Sequence, residues 1–274
     1  MDGPPPVCYN AHMKRMLAFA LALLLCLGLS ACKKDTSAGD HPLDVTDPET
    51  PGSSAASLDA AAPGDEAVSA VYGSKAAVTV TGAAAYAFTG TEGPTVYASA
   101  AYENTGDCPV IVTSAQFEIK GDVAAFTHEF TPALNEYLVL LPGDTGYLAE
   151  WIPREDAVQG ASVSLSASLT VAKADDRGVR LGVDHLYIAD NYPGFSTLSG
   201  RLSCAEGKGC GANMVSVGFY GEAGDFLGAW YFSKNALMEA GEEQCFVVNM
   251  QQFPLADLGA RTATMKAVAY GFDF

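Results

Sequence analysis

Between Ala161 and Val171 the chain alternates without a break. Ala161, Val163, Leu165, Ala167, Leu169 and Val171 hold the odd positions; Ser162, Ser164, Ser166, Ser168 and Thr170 hold the even ones. A strand points successive side chains to opposite faces, whereas a helix would mix the two sets on every face. The stretch therefore predicts a β-strand with one buried face and one wet face. Such a strand needs a sheet around it and a second layer over its apolar side.

The flanking sequence supplies both. Ala77 to Thr81, Thr95 to Tyr102, Val110 to Lys120, Tyr137 to Leu141 and Tyr147 to Trp151 read as strands. Asn104-Thr105-Gly106-Asp107 and Pro142-Gly143-Asp144 read as the turns between some of them. No stretch from 70 to 173 carries a capped amphipathic helical pattern. Ala174-Asp175-Asp176-Arg177-Gly178 reads as a junction, after which strands resume. They are Leu186 to Ala189, Ser196 to Ser203, Met214 to Tyr220, Phe226 to Phe232, Gln244 to Met250 and Thr264 to Phe274. Gly221-Glu222-Ala223-Gly224-Asp225 has hairpin-turn chemistry. Asn235 to Glu239 and Pro254 to Leu258 each suit one helical turn. In the last strand, Val268, Tyr270, Phe272 and Phe274 share the face expected to meet the core. Met265, Ala267 and Ala269 are expected outside or against a neighbour.

Many short strands with regular turns predict an all-β fold: two tandem antiparallel β-sandwiches over 70–173 and 180–274, joined through 174–179. A short internal echo supports duplication. Leu141-Pro142-Gly143-Asp144 leads into Tyr147-Leu148, and Glu239-Ala240-Gly241-Glu242 leads into Phe246-Val247.

Ahead of the strands, Lys33 to about Ser69 is rich in Ala, Ser, Gly, Pro, Asp and Glu. It cannot bury enough apolar surface to fold, so 32–69 is expected to be a disordered acidic tether. Its span as a flexible coil is roughly 35 Å. Residues 1–31 read as a leader, with the better start at Met13. Lys14 and Arg15 precede the apolar run Leu17 to Leu27, and small residues follow. That order is a secretory signal peptide, and the run falls short of the about 20 residues of a permanent span. Cys26, inside the run, reads as a hydrophobe.

Leu29-Ser30-Ala31-Cys32 resembles the lipobox of bacterial lipoproteins. The resemblance implies that Cys32 is the lipidation site, carrying diacylglycerol and acyl groups such as palmitate. It also implies an exported protein anchored to the cell membrane and facing outward. An ordinary signal peptide cleaved near Ala31, or a short uncleaved anchor, is the plainer alternative.

The formal charge is −17, and removing the leader makes the chain one unit more negative. A polyanion is repelled by phosphate backbones, so no nucleic-acid partner is expected. Of seven cysteines, Cys108, Cys204, Cys210 and Cys245 lie past the leader, where disulfides can persist. Cys204 and Cys210 flank a short turn-like loop and would pair if that loop closes a hairpin. Cys108 and Cys245 read either as an inter-domain bridge or as buried thiols. No matched pair of CxxC motifs is present, so no metal site is expected.

A family resemblance rests on Asn104 to Val110 followed by Leu141-Pro142-Gly143-Asp144, and on Gly218 to Asp225. These look like the small Ig-like domains, including the FxLYD type, of Gram-positive surface lipoproteins. Gly221 departs from the pattern, which usually has an acid there. The resemblance implies an extracellular Ig-like fold and carries over no catalytic residue.

Chemistry-bearing motifs are few. Gly194-Phe195-Ser196-Thr197-Leu198 fails the hydrolase elbow at its last position. No HExxH, P-loop or dinucleotide fingerprint occurs. Asp184 beside His185 is a pair whose members should face opposite ways on a strand. Glu155-Asp156, Asp175-Asp176 and Glu242-Glu243 read as solvated turns, with Asp175-Asp176 the best calcium candidate. Trp151, Trp230, Tyr97, Tyr137, Tyr147, Tyr192, Phe195 and Tyr231 read as core aromatics, with a sugar-stacking face the rival reading. Asp190, Asn191 and Tyr192 form the candidate ligand loop. The expected function is a non-enzymatic binding or scaffolding lipoprotein whose partner is a surface protein or glycan. The alternative is an accessory solute- or glycan-binding lipoprotein feeding a transporter or surface enzyme.

Overall fold

The computed structural model describes residues 72–132, 138–175, 179–205, 207–234 and 237–272. The leader, Cys32 and the tether lie outside the described residues. The described residues belong to one compact unit, Glu66–Phe274, built almost entirely of antiparallel strands. The fold is all-β. Among the described residues, no helix is long and apolar enough to cross a membrane.

The first strand set is β1 (Val78–Gly90), β2 (Gly93–Asn104), β3 (Val110–Gly121), β4 (Phe126–Phe130), β5 (Thr145–Pro153) and β6 (Val163–Lys173). The second is β7 (Val179–Tyr192), β8 (Phe195–Cys204), β9 (Ala212–Tyr220), β10 (Phe226–Ser233), β11 (Glu243–Gln251) and β12 (Thr264–Phe272). A short helix, α1 (Leu258–Arg261), precedes β12. The first set forms two sheets, ordered β1-β2-β5 and β4-β3-β6. The second set repeats that plan as β7-β8-β11 and β10-β9-β12, each strand taking the place of the one six before it. Its two halves join edge to edge where β12 meets β7 at Ala269↔Leu181, Tyr270↔Arg180 and Gly271↔Val179.

The repeat extends to the turns. Val110 bridges Leu140 in the first set, and Cys210 bridges Met238 in the second. Asn104 N donates to Asp144 O at 2.9 Å, and Cys204 N donates to Glu242 O at 2.9 Å. Gly143 N donates to Asn104 O at 2.9 Å, and Gly241 N donates to Cys204 O at 3.1 Å. The two segments that echo each other in sequence therefore share one backbone hydrogen-bonding pattern.

Two cores form around this plan, and they exchange residues between strand sets. Val96, Ala98, Ala100 and Tyr102 on one face of β2 meet Phe117 and Ile119 of β3, with Val268 and Tyr270 of β12. The opposite face of the β2-β5 pair sends Tyr97 and Ala149 into a core with Val215, Val217, Phe219, Leu198 and Leu202. Both faces of β2 are interior, so Val96 to Tyr102 is apolar or small throughout, like other doubly covered strands. β9 is covered on both sides as well. Val215, Val217 and Phe219 point into the second core, while Ser216 and Gly218 lie against Tyr147 of β5. A Cβ on Gly218 would overlap the Tyr147 ring, so glycine permits that approach.

β6 keeps the expected alternation, its serines exposed and its aliphatic positions packed on the first core. The Gly221 to Asp225 turn closes a hairpin, with Gly221 N donating to Asp225 O at 2.9 Å. β1 runs to Gly90, well past the expected Thr81, because Ala-rich residues 83–87 pair with β2. β4 is an edge strand of five residues, too short for a periodic signal. Of the strand expected over Tyr137 to Leu141, Tyr137 lies outside the described residues, and the described part makes the Leu140 bridge to Val110. From Val268 to Gly271 both faces of β12 are buried, so Ala269 is as interior as Val268 and Tyr270.

Candidate functional site

The hairpin expected between Cys204 and Cys210 does not form. β7 and β12 stand between β8 and β9 in the sheet, so the loop crosses over rather than turning back. No disulfide joins the two, and both are buried thiols. Cys204 stands where Asn104 stands in the first strand set. Its Sγ donates to Lys208 O at 3.0 Å, as Asn104 Nδ2 donates to Cys108 O at 2.9 Å. Burial pushes the Cys204 thiol pKa up, and Glu242 adds to that. Cys210 lies against Gly271, where a Cβ would overlap it. Cys108 is buried in the first core and Cys245 is exposed on β11, and neither is bridged.

The candidate ligand loop is taken up by local structure. Asp190 accepts from Gly259 N at 2.8 Å, from Ala260 N at 3.1 Å and from Ser196 Oγ at 2.9 Å. It caps α1 from a distant strand, where Asp257 at the cap position makes no capping bond and accepts from Arg261 Nε at 2.7 Å instead. Asn191 Nδ2 donates to Thr197 Oγ1 at 2.7 Å. All three residues are exposed, and the Tyr192 ring is tilted against Phe195 at 4.8 Å.

Asp184 and His185 face the same way, contrary to strand alternation. His185 takes a φ of 51°, and the β7–β8 register slips between Asp184 and Tyr187. This bulge brings His185 Nδ1 to 2.8 Å from Asp184 Oδ1. Arg201 donates twice to Asp184, each at 2.8 Å, and once to Glu243 at 2.7 Å. The guanidinium, and then His185, hold the Asp184 carboxyl well below the usual carboxylate range. The result is an exposed ion network.

The other acidic pairs are tied locally. Asp156 accepts two bonds from Arg154 at 2.9 Å and one from Ala124 N at 2.8 Å. Glu242 accepts from Glu239 N at 2.7 Å, and Glu243 pairs with Arg201. Asp176, half of the calcium candidate, lies outside the described residues. Among the described residues, no group of three His, Cys, Asp or Glu side chains could hold a metal ion.

Of the strand aromatics, Tyr97 and Tyr147 are buried, while Trp151, Trp230 and Tyr231 are half-buried against the second core, Phe195 is half-buried and Tyr192 is exposed. Tyr97 contacts Trp151 at 5.1 Å and Phe253 at 5.2 Å, and Trp151 meets Trp230 at 5.3 Å. Trp151 Nε1 donates to Gln252 O at 3.2 Å. Tyr137 lies outside the described residues.

One cavity combines apolar walls with an uncompensated charge. It holds about 90 Å³ and lies along the outer edge of β5, where that strand passes β9 and β10. Phe130 and Pro132 close it from the end of β4, and Leu138 and Leu148 add aliphatic wall. Met214, Ser216 and Tyr231 line it from the second strand set. Glu150 of β5 also lines it and is half-buried. Among the described residues, Glu150 has neither a hydrogen-bond donor nor a cation as partner. Burial alone pushes its carboxyl pKa up. Tyr231 lines the same cavity, and its phenol pKa is raised by burial and then by the Glu150 charge. No signal in Tyr147-Leu148-Ala149-Glu150-Trp151 marks this glutamate, because its surroundings come from strands far away in sequence.

No protein-family model and no curated protein matches this chain.

Proposed function

We propose that this chain is a lipid-anchored, outward-facing binding module, held at a membrane by acyl groups on Cys32 and acting without catalysis. Glu150 carries the binding half of the reading. An unpaired carboxylate gains nothing from being taken out of water. A ligand that pairs with it in the cavity gives that cost a purpose. The anchoring half rests on the lipobox-like Leu29 to Cys32 at the end of a short apolar run. The acidic segment that follows would hold the sheets away from the bilayer. The likeness to Ig-like domains of Gram-positive surface lipoproteins is consistent with such a placement.

Glycan capture finds less support. The tryptophans that would stack a sugar pack on each other at 5.3 Å, half-buried against the second core. A cavity of about 90 Å³ is smaller than the ~150 Å³ that accommodates a benzene ring. A sugar ring does not fit, whereas a short side chain or its equivalent does.

Replacing Cys32→Ala is expected to move the protein from the membrane fraction to the soluble fraction of its host. Retention in the membrane would remove the anchoring half. An unbiased fragment screen of the full chain in detergent, repeated with Glu150→Gln, tests the binding half. Fragments that map to the cavity and weaken in the variant support it. Fragments that bind only elsewhere count against it.

A further inference from the structure

The second strand set contains its own counterpart of the β5 edge. β11 occupies in β7-β8-β11 the outer position that β5 occupies in β1-β2-β5. At the β11 edge a lysine of the same chain is already seated. Lys234 Nζ donates to Cys245 O at 2.8 Å and to Gln244 Oε1 at 2.9 Å. Lys234 follows directly on β10, the counterpart of β4. One edge of the repeat is thus closed by an ammonium group presented on an aliphatic stem.

At the β5 edge no such lysine arrives among the described residues. Thr131 and Pro132 follow β4 there, and both line the cavity. The main-chain carbonyl equivalent to that of Cys245 is Tyr147 O, which receives only the long 3.5 Å bond from Ser216 Oγ. Glu150 puts a full negative charge where Val248 stands in β11, whose own acid, Glu243, lies at the start of the strand and pairs with Arg201. Phe130, Tyr147 and Tyr231 line the cavity, and an aromatic face attracts a cation as well as an alkyl chain.

Resting on the reading of this cavity as the ligand site, we propose that it binds a primary alkylammonium group, seated between Glu150 and the Phe130 and Tyr231 rings. The ammonium donates to Glu150 and to outward carbonyls of β5, and the methylenes lie on Leu148 and Met214. The group is a free short amine or the end of a lysine side chain on a partner protein. The net charge of −17 favours the approach of either.

The test is a titration of the full chain in detergent, followed by NMR of the Met214 methyl and the Phe130 and Tyr231 rings. The probes are n-propylammonium, N-acetyl-lysine amide and, as the neutral isostere, 1-propanol. Saturable shifts at those residues are expected with the amines, with dissociation constants on the order of 1 mM for ligands so small. 1-Propanol should bind about tenfold more weakly or worse, the worth of one charge-assisted hydrogen bond. Glu150→Gln should erase that preference. The tighter of the two amines assigns the source as a free amine or a protein lysine. Equal binding of 1-propanol and propylammonium overturns the alkylammonium proposal while leaving the cavity a binding site. Absence of saturable shifts from all three probes overturns the proposal, and if the fragment screen is also silent there, the cavity reading falls too. The alcohol comparison needs no variant, so it decides the matter even if Glu150→Gln fails to fold.

Discussion

Asn104 spends every polar atom of its side chain on backbone. Its Nδ2 donates to Cys108 O and to Leu140 O, both at 2.9 Å, and its Oδ1 accepts from Gly106 N at 2.9 Å. It is buried, so Asn104→Ala would strand Cys108 O away from water and take one of two partners from Leu140 O and from Gly106 N, which keep Val110 N and Ala77 O. The expected loss is about 2–3 kcal/mol of unfolding free energy, read from urea denaturation. Glu150 is the opposite case, a half-buried, unpaired carboxylate with its pKa raised by desolvation. Its folded value lies above its unfolded value, so the folded chain holds a proton there that the unfolded chain has already lost. Stability from this group is therefore present in acid and lost as pH rises through the folded value. Glu150→Gln should raise the urea midpoint at neutral pH, with the gain shrinking toward acid. A variant less stable than the parent at neutral pH would mean that Glu150 has a stabilising partner.

At the level of elements, edges and bulges do the joining. β10 slips register between Phe226 and Gly228, and Gly228 takes a φ of 139°. The irregularity presents the Ala229 backbone to β2. There the Tyr97 hydroxyl donates to Ala229 O at 2.7 Å and accepts from Ala229 N at 2.8 Å. Tyr86 Oη donates to Leu227 O at 3.1 Å beside it. Two phenols on the first strand set thus satisfy backbone on the second. Tyr97→Phe keeps the ring and leaves a buried N–H and C=O without their partner, at an expected cost of about 1–3 kcal/mol by denaturation. Hydrogen exchange of the Ala229 amide should rise more than that of β3 amides, and equal protection would contradict this role. The local turn at Asn104 was legible from its residue types, as was the hairpin at Gly221 to Asp225. The bulges at His185 and in β10 were not, because ordinary strand residues carry them and the neighbouring strands impose them.

Across the whole unit, the strand pair β2 and β5 contributes to both cores, and Val268 and Tyr270 of the final strand return to the first. Neither core is complete without residues from the other strand set. Phe117→Ala in the first and Phe219→Ala in the second are therefore expected to lower one common thermal transition, each by about 3–5 kcal/mol. Two transitions that respond separately to the two variants would show that the halves melt independently. The sequence alone determined the all-β class. Period-two alternation in Ala161 to Val171 and the turn residues act between near neighbours, and local sterics and burial on one face suffice to read them. The tertiary structure alone decided that β2 and β9 are covered on both faces, that Cys204 and Cys210 sit apart, and that Glu150 lacks a partner. Each of these depends on strands dozens of residues apart coming together, and side-chain chemistry in a linear chain does not encode which distant surface will remove its water.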